Sequence, residues 1–157
     1  MDDIQAIPGF LFFDHIGIAV AAGQLERHVR AYQRLGFLEV HREDVLGPDQ
    51  VREVLLRVGA GPNCVQLLEP LAPESPVARR LARSNTGAGF SHLAFRVSDI
   101  EKAFDFMKAN GFNVIDQHPR AGSRGTKVFF VHPKTTEQLA FGYLIEIVQQ
   151  SSAHGSS

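Results

Sequence analysis

The stretch FDHIGIAV, residues 13–20, returns 77 positions later as FSHLAFRV, residues 90–97. Each copy places Phe, one residue, His, and then apolar positions that close on Val. Residues two apart share one face of a β-strand. Ile16, Ile18 and Val20 therefore predict a face packed on helices. His15 falls on the opposite face, and His92 stands at the matching place in the second copy.

The repetition extends outward from these strands. Leu25, Val29 and Tyr32 follow the first copy at i, i+4 and i+7. Ile100, Phe104 and Met107 follow the second at the same spacing, 75 positions on. That spacing predicts one amphipathic helix after each strand. Both helices run into Gly-Phe, at Gly36-Phe37 and Gly111-Phe112, and a glycine there accepts the positive φ that ends a helix. Strand-like runs come next: VREVLLRV (51–58) and CVQLLEP (64–70), then KVFFVHP (127–133) and YLIEIVQ (143–149). Counting a short strand at 37–42 and another at 112–116, each half reads βαβββ. Neither half buries its apolar strand faces alone. The pattern thus predicts an α+β fold of two pseudo-symmetric βαβββ modules, about 12–70 and 89–149, forming curved mixed sheets in a single domain over 12–149.

Composition fits that reading. The 157 residues are 44% hydrophobic and 21% charged, the balance of a globular chain. A net charge of −1 with no basic stripe argues against a nucleic-acid partner. No apolar run reaches the ~20 residues of a membrane-spanning helix, so no membrane association is expected. Asp2 and Asp3 are unlike the basic start of a signal peptide. Cys64 is the single cysteine, which rules out an internal disulfide and suits a cytoplasmic setting. The polar residues 150–157 read as a disordered tail. Between the halves, Ser75-Pro76 reads as a helix start. The short helix it opens carries Arg79, Arg80 and Arg83, either as a solvated face or to meet an anion such as a nucleotide phosphate.

Four polar residues interrupt the apolar strands at positions the repeat relates. His15 and His92 are 77 apart; Gln66 and Glu146, each in the last strand of its half, are 80 apart. Taken singly, a strand His is more often a hydrogen-bonded structural residue, and a Gln or Glu near a strand end more often faces solvent. Here that reading must hold four times over. Two imidazoles, an amide oxygen and a carboxylate instead make a coherent first shell for a divalent metal that prefers N and O ligands.

The ordered set DHIGIAV (14–20), QLLEP (66–70), PVARRLA (76–82), SHLAFRVSDIE (91–101), PRAGSRGTKVFFVHPK (119–134) and LIEIVQ (144–149) resembles the methylmalonyl-CoA epimerases of the vicinal-oxygen-chelate superfamily. The resemblance covers about residues 12–149. It implies paired βαβββ modules, often as a homodimer, acting on an acyl-CoA. It also implies a divalent metal on His15, Gln66, His92 and Glu146: cobalt first, with nickel, manganese and zinc as other candidates. The family's proposed general base matches Glu53, in VREVLL (51–56), and its suggested partner matches Glu146. Lys127 lies 74 positions beyond Glu53 and is another candidate proton carrier. The bland alternative for Glu53 is an exposed charge on an edge strand. The reaction implied inverts the carbon between a thioester and a carboxylate through a metal-stabilised enolate.

Three stretches depart from the family's pattern. Ser91 stands where the family often has a first of two histidines. EDVLGPDQVRE (43–53) lacks the usual Glu-Gln-Gly-Val, and TTEQLAFGY (135–143) is longer than the usual turn. Rival readings on the same scaffold are a glyoxalase-like isomerase, an iron dioxygenase with two His and one carboxylate, and a non-catalytic ligand-sequestering protein. The glyoxalase-like set more often carries Glu where this chain has Gln66. A fourth ligand at Gln66 would crowd a dioxygenase, and a sequestering protein has little need of metal ligands or of Glu53.

Overall fold

Alternation through the first His-bearing stretch yields a strand three residues longer at its start than the repeat alone predicts, β1 (Phe10–Val20). The structure, a computed structural model, describes residues 6–84, 88–134 and 140–151. After β1 come α1 (Leu25–Gln33), β2 (Leu38–Val45), β3 (Val51–Arg57), β4 (Cys64–Pro70) and α2 (Pro76–Leu81). The second half follows as β5 (Ala88–Val97), α3 (Ile100–Ala109), β6 (Arg120–Ala121), β7 (Thr126–Val131) and β8 (Leu144–Gln150). The βαβββ order is present twice, as the repeat requires.

Two compact units divide these elements. One is Asp14–Leu93; the other joins the residues up to Phe13 to those from Ala94 onward. In the first unit β2 pairs antiparallel with β3, β3 antiparallel with β4, and β4 parallel with β1. This mixed pairing sets Gly17 opposite Gln66 and Leu68 opposite Glu53. In the second unit β7 pairs antiparallel with both β6 and β8, and Glu146 stands opposite Phe130.

The helix faces pack as their spacing predicts. Leu25 and Val29 of α1 are buried with Val20, Val54, Leu56 and Leu67, and Ile18 and Tyr32 pack against that cluster. Full burial of one such side chain contributes roughly 1.5–3 kcal/mol. Ile16, expected on the same packed face, is instead 41% exposed. In α3, Ile100, Ala103, Phe104 and Met107 are buried, and Phe104 meets Phe129 edge-on at 5.2 Å. Gly36 and Gly111 adopt φ of +92° and +83°, the positive values expected at these helix ends.

The duplication also governs how the helices begin. Gln24 supplies no side-chain cap to α1; Glu69 of β4 reaches the Leu25 N–H instead, at 3.1 Å. In α3, Asp99 caps Lys102 N, and Gln149 of β8 accepts from the Ile100 N–H at 2.8 Å. Glu69 and Gln149 are 80 positions apart, the same offset as Gln66 and Glu146. Each last strand thus sends one side chain to a helix N-terminus, where an acceptor satisfies an otherwise unbonded N–H.

Two expectations need adjustment, and a third lies mostly outside the described residues. The short strand predicted at 112–116 is only an isolated bridge, Val114 with Val131, and the short strand beside β7 is β6. Two backbone bonds hold that bridge, Ile115 N–H to Phe130 O and His132 N–H to Asn113 O, each 2.8 Å. The Phe130 N–H goes instead to the Asp116 carboxylate at 2.8 Å, which also accepts from Arg120 Nε at 2.9 Å. Position 150, assigned to the tail, belongs to β8, and residues 152–157 lie outside the described residues. Most of the longer turn at 135–143 also lies outside them, at 135–139.

Candidate metal centre

His15 projects from β1 and His92 from β5, and within the first unit the two rings meet. Their Nε2 atoms are 2.9 Å apart, with the rings at 88° to one another. His15, Gln66, His92 and Glu53 are each at most 4% exposed. On its far side the His15 Nδ1 lies 2.7 Å from Asp14 Oδ2, in a pair that is itself buried. A carboxylate at that place fixes the ring's orientation and keeps the proton on Nδ1. The Nε2 lone pair of His15 is then directed at His92.

Gly17 makes room for the second ring. A Cβ there would come within 2.3 Å of His92 Cε1 and 2.5 Å of Nδ1, so the imidazole rests on bare backbone. Gly17 is also the register partner of Gln66, which brings the amide beside the imidazole pair. The Gln66 Nε2 donates to Glu53 Oε2 at 2.8 Å. Its Oε1 is buried and has no hydrogen-bond partner among the described residues. An unmade bond of this kind costs about 1–3 kcal/mol, so such an atom calls for a ligand.

Glu53 is therefore no exposed edge charge: β3 lies between β2 and β4, and the carboxylate is buried. Across the β2–β3 ladder it faces Glu43, whose Oε2 is 2.9 Å from His41 Nε2. The ligand atoms of His41, Glu43 and Glu53 all lie within 4.8 Å of one another. Sequence reasoning missed this grouping, because an alternating HRE on a half-exposed strand looks like a solvated edge.

Glu146 stands in the second unit, on β8, at 7% exposure. Lys127, the alternative proton carrier, is exposed, unlike Glu53 at the matching place in the repeat.

The bridging helix begins as its sequence predicts. Ser75 Oγ accepts from the Val77 N–H at 3.2 Å, with Pro76 at the first helical position. Its arginines do not all face water. Arg80 turns inward, and Nη1 donates to Ser91 Oγ at 2.7 Å and to Ser91 O at 3.0 Å. Burial, and then the charge of Arg83, lower the Arg80 pKa from its ordinary value. A guanidinium nonetheless stays cationic at neutral pH.

The residues fit a divalent ion. Two imidazole nitrogens bound at 2.0–2.1 Å and at right angles lie about 3 Å apart, close to the 2.9 Å between the His15 and His92 nitrogens. The Gln66 carboxamide oxygen, on the strand paired with that of His15, is buried and has no hydrogen-bond partner among the described residues. A duplicated βαβββ chain with polar, metal-competent residues on its strands defines the class of protein. The chain belongs to the Glyoxalase/Bleomycin resistance protein/Dioxygenase superfamily, whose family model matches residues 14–130.

Individual relatives are closer still. The chain is 31% identical to methylmalonyl-CoA epimerase from Mycobacterium tuberculosis, with a TM-score of 0.81, covering 95% of this chain and 94% of that one. A variant of the Streptomyces coelicolor methylmalonyl-CoA epimerase, in complex with 2-nitronate-propionyl-CoA, is 32% identical with a TM-score of 0.80, covering 91% and 99%. Protein YqjC of Bacillus subtilis (strain 168), itself uncharacterized, is 31% identical over 137 residues, 87% of this chain and 90% of its own length.

Proposed function

We propose that the chain is a metal-dependent epimerase of methylmalonyl-CoA or a related 2-carboxyacyl-CoA. The observation that carries this reading is the buried pair of facing imidazoles, together with a buried Gln66 amide oxygen that has no hydrogen-bond partner among the described residues. The acyl-CoA substrate is carried over from relatives with methylmalonyl-CoA and 2-nitronate-propionyl-CoA bound. On this reading His15, Gln66, His92 and Glu146 would hold the ion. Cobalt heads the candidates, with nickel, manganese and zinc behind it. The units act as one domain over 12–149, in a cytoplasmic homodimer.

When bound, the ion supplies positive charge to the thioester and carboxylate oxygens of the substrate. The protein's own groups then move the proton. Glu53 removes it from the α-carbon; the C–H bond breaks and its electron pair delocalises toward the thioester oxygen. Return of a proton to the opposite face forms the new C–H bond and inverts the centre. Glu146 is assigned to that face, where it would deliver a proton first taken up from water; holding a dication would lower its basicity. The Gln66 amide fixes the direction of Glu53 through their 2.8 Å hydrogen bond, tying the base to a metal ligand. Burial of Glu53 keeps water from competing for its proton.

The test is interconversion. Metal-loaded protein given either stereoisomer of methylmalonyl-CoA should yield the same equilibrium mixture from both sides, with about one metal per chain by elemental analysis, as a single four-ligand site implies. Full metal occupancy with neither isomer converted would overturn the reading.

A further inference from the structure

Behind His92 lies a hydrogen-bonded chain that the proton transfers above do not use. Arg80 Nη1 donates to Ser91 Oγ at 2.7 Å, and Ser91 Oγ is 3.1 Å from His92 Nδ1. His92 Nε2 is 2.9 Å from His15 Nε2, and His15 Nδ1 is 2.7 Å from Asp14 Oδ2. All five residues lie in the first unit, and all but Arg80 are buried. The two ends fix the polarity. A guanidinium only donates, and an ionised carboxylate only accepts. One arrangement of protons satisfies these four contacts with both rings neutral. Arg80 donates to Ser91, the Ser91 hydroxyl to His92 Nδ1, His92 Nε2–H to His15 Nε2, and His15 Nδ1–H to Asp14.

A metal on His92 Nε2 demands the opposite tautomer. That nitrogen must be bare, so the ring carries its proton on Nδ1 and donates it toward Ser91. The serine must then accept rather than donate. A hydroxyl has one hydrogen and two lone pairs, so it serves both states. In the loaded state its oxygen accepts from Arg80 and from His92 together. An alanine at 91 serves neither state.

We propose that Ser91, clamped by Arg80, is a positioning residue that supports His92 as the Nε2–H tautomer in the metal-free protein and as the Nδ1–H tautomer once metal is bound. This deepens the metal reading above and rests on it. The ring gives its Nε2 proton to water and takes one from water on Nδ1, so its charge does not change. Arg80 holds the serine oxygen in place in both states, which leaves only the hydroxyl hydrogen to turn.

The experiment is 15N NMR of the histidine rings at about pH 8, above the ordinary histidine pKa, with zinc as a diamagnetic probe. In wild type, His92 Nδ1 should be unprotonated without metal and protonated with zinc. Ser91→Ala should lose about 10- to 100-fold in zinc affinity, the scale for removing a residue that supports a ligand, and should no longer favour Nε2–H in the metal-free protein. Ser91→Thr keeps the hydroxyl and should restore both. Arg80→Met should fall between wild type and Ser91→Ala in affinity. Zinc bound by wild type with the same His92 tautomer in both states would sink the switch alone. Wild-type zinc affinity in a folded Ser91→Ala would do the same. Wild type that binds no zinc would sink the metal reading and the switch with it. Should Ser91→Ala not fold, the wild-type spectra and Ser91→Thr decide.

Discussion

The imidazole of His92 lies against the backbone of Gly17, with its Cε1 only 2.3 Å from where a Cβ would stand. The glycine is needed for that contact alone, since it is not among the positive-φ positions. Gly17→Ala should therefore act through the ring. Overpacking of a dense interior costs about 1–3 kcal/mol, and a displaced His92 loses its alignment with His15. A thermal melt together with a metal titration checks this. The expected result is a modestly lower melting temperature with a much larger loss of metal affinity. Unchanged affinity would show that His92 is not a ligand.

Asp14 should matter for metal affinity without touching the metal. Its carboxylate holds the His15 Nδ1 at 2.7 Å in a buried pair. Asp14→Asn keeps the shape and removes the charge, and should weaken metal binding by about 10- to 100-fold. Circular dichroism should remain that of the wild type. Affinity within twofold of wild type would remove Asp14 from the site.

Gln66 has two tasks, one for each end of its amide. Gln66→Ala removes the buried amide oxygen, which has no hydrogen-bond partner among the described residues, and the donor to Glu53. Metal affinity and α-proton exchange at saturating metal should both fall. Loss of affinity with full exchange when saturated would mean the Gln66–Glu53 bond has no part in catalysis.

Glu53→Gln preserves size and removes basicity. Metal content should stay at the wild-type level, while α-proton exchange from one substrate stereoisomer falls by roughly 10²-fold or more, the scale of lost general-base catalysis. Wild-type exchange from both stereoisomers would place the base elsewhere. Among the described residues, His41 and Glu43 would be next to examine, since they share a cluster with Glu53.

Much of this was legible in the sequence because a duplication makes weak signals repeat. One His on a strand says little. His15 and His92 in matching strands, with Gln66 and Glu146 in matching later strands, pointed to one chemistry. The helices were legible for the same reason, as Gly36 and Gly111 close them identically. The supporting contacts were not. Asp14 precedes His15 and Ser91 precedes His92 by a single residue, and strand alternation assigns such neighbours to opposite faces. Their bonds to the rings run against the period that sequence reading relies on. Arg80 looked like part of a solvated basic face because its contact with Ser91 depends on how α2 is placed, which no local pattern encodes. Gly17 left no signal at all: its role is the absence of a side chain under a ring 75 residues away.

The reaction proposed for this protein is inversion of a carboxyacyl-CoA through α-proton removal at a metal site. Deuterium wash-in from D2O tests it most directly, using methylmalonyl-CoA, a glyoxalase hemithioacetal and no substrate, each with and without added cobalt. The expected result is metal-dependent deuterium at the α-carbon of methylmalonyl-CoA, with interconversion of its stereoisomers and no turnover of the hemithioacetal. Turnover of the hemithioacetal with no exchange into methylmalonyl-CoA, at full metal occupancy, would contradict it and make the protein a glyoxalase-like isomerase instead.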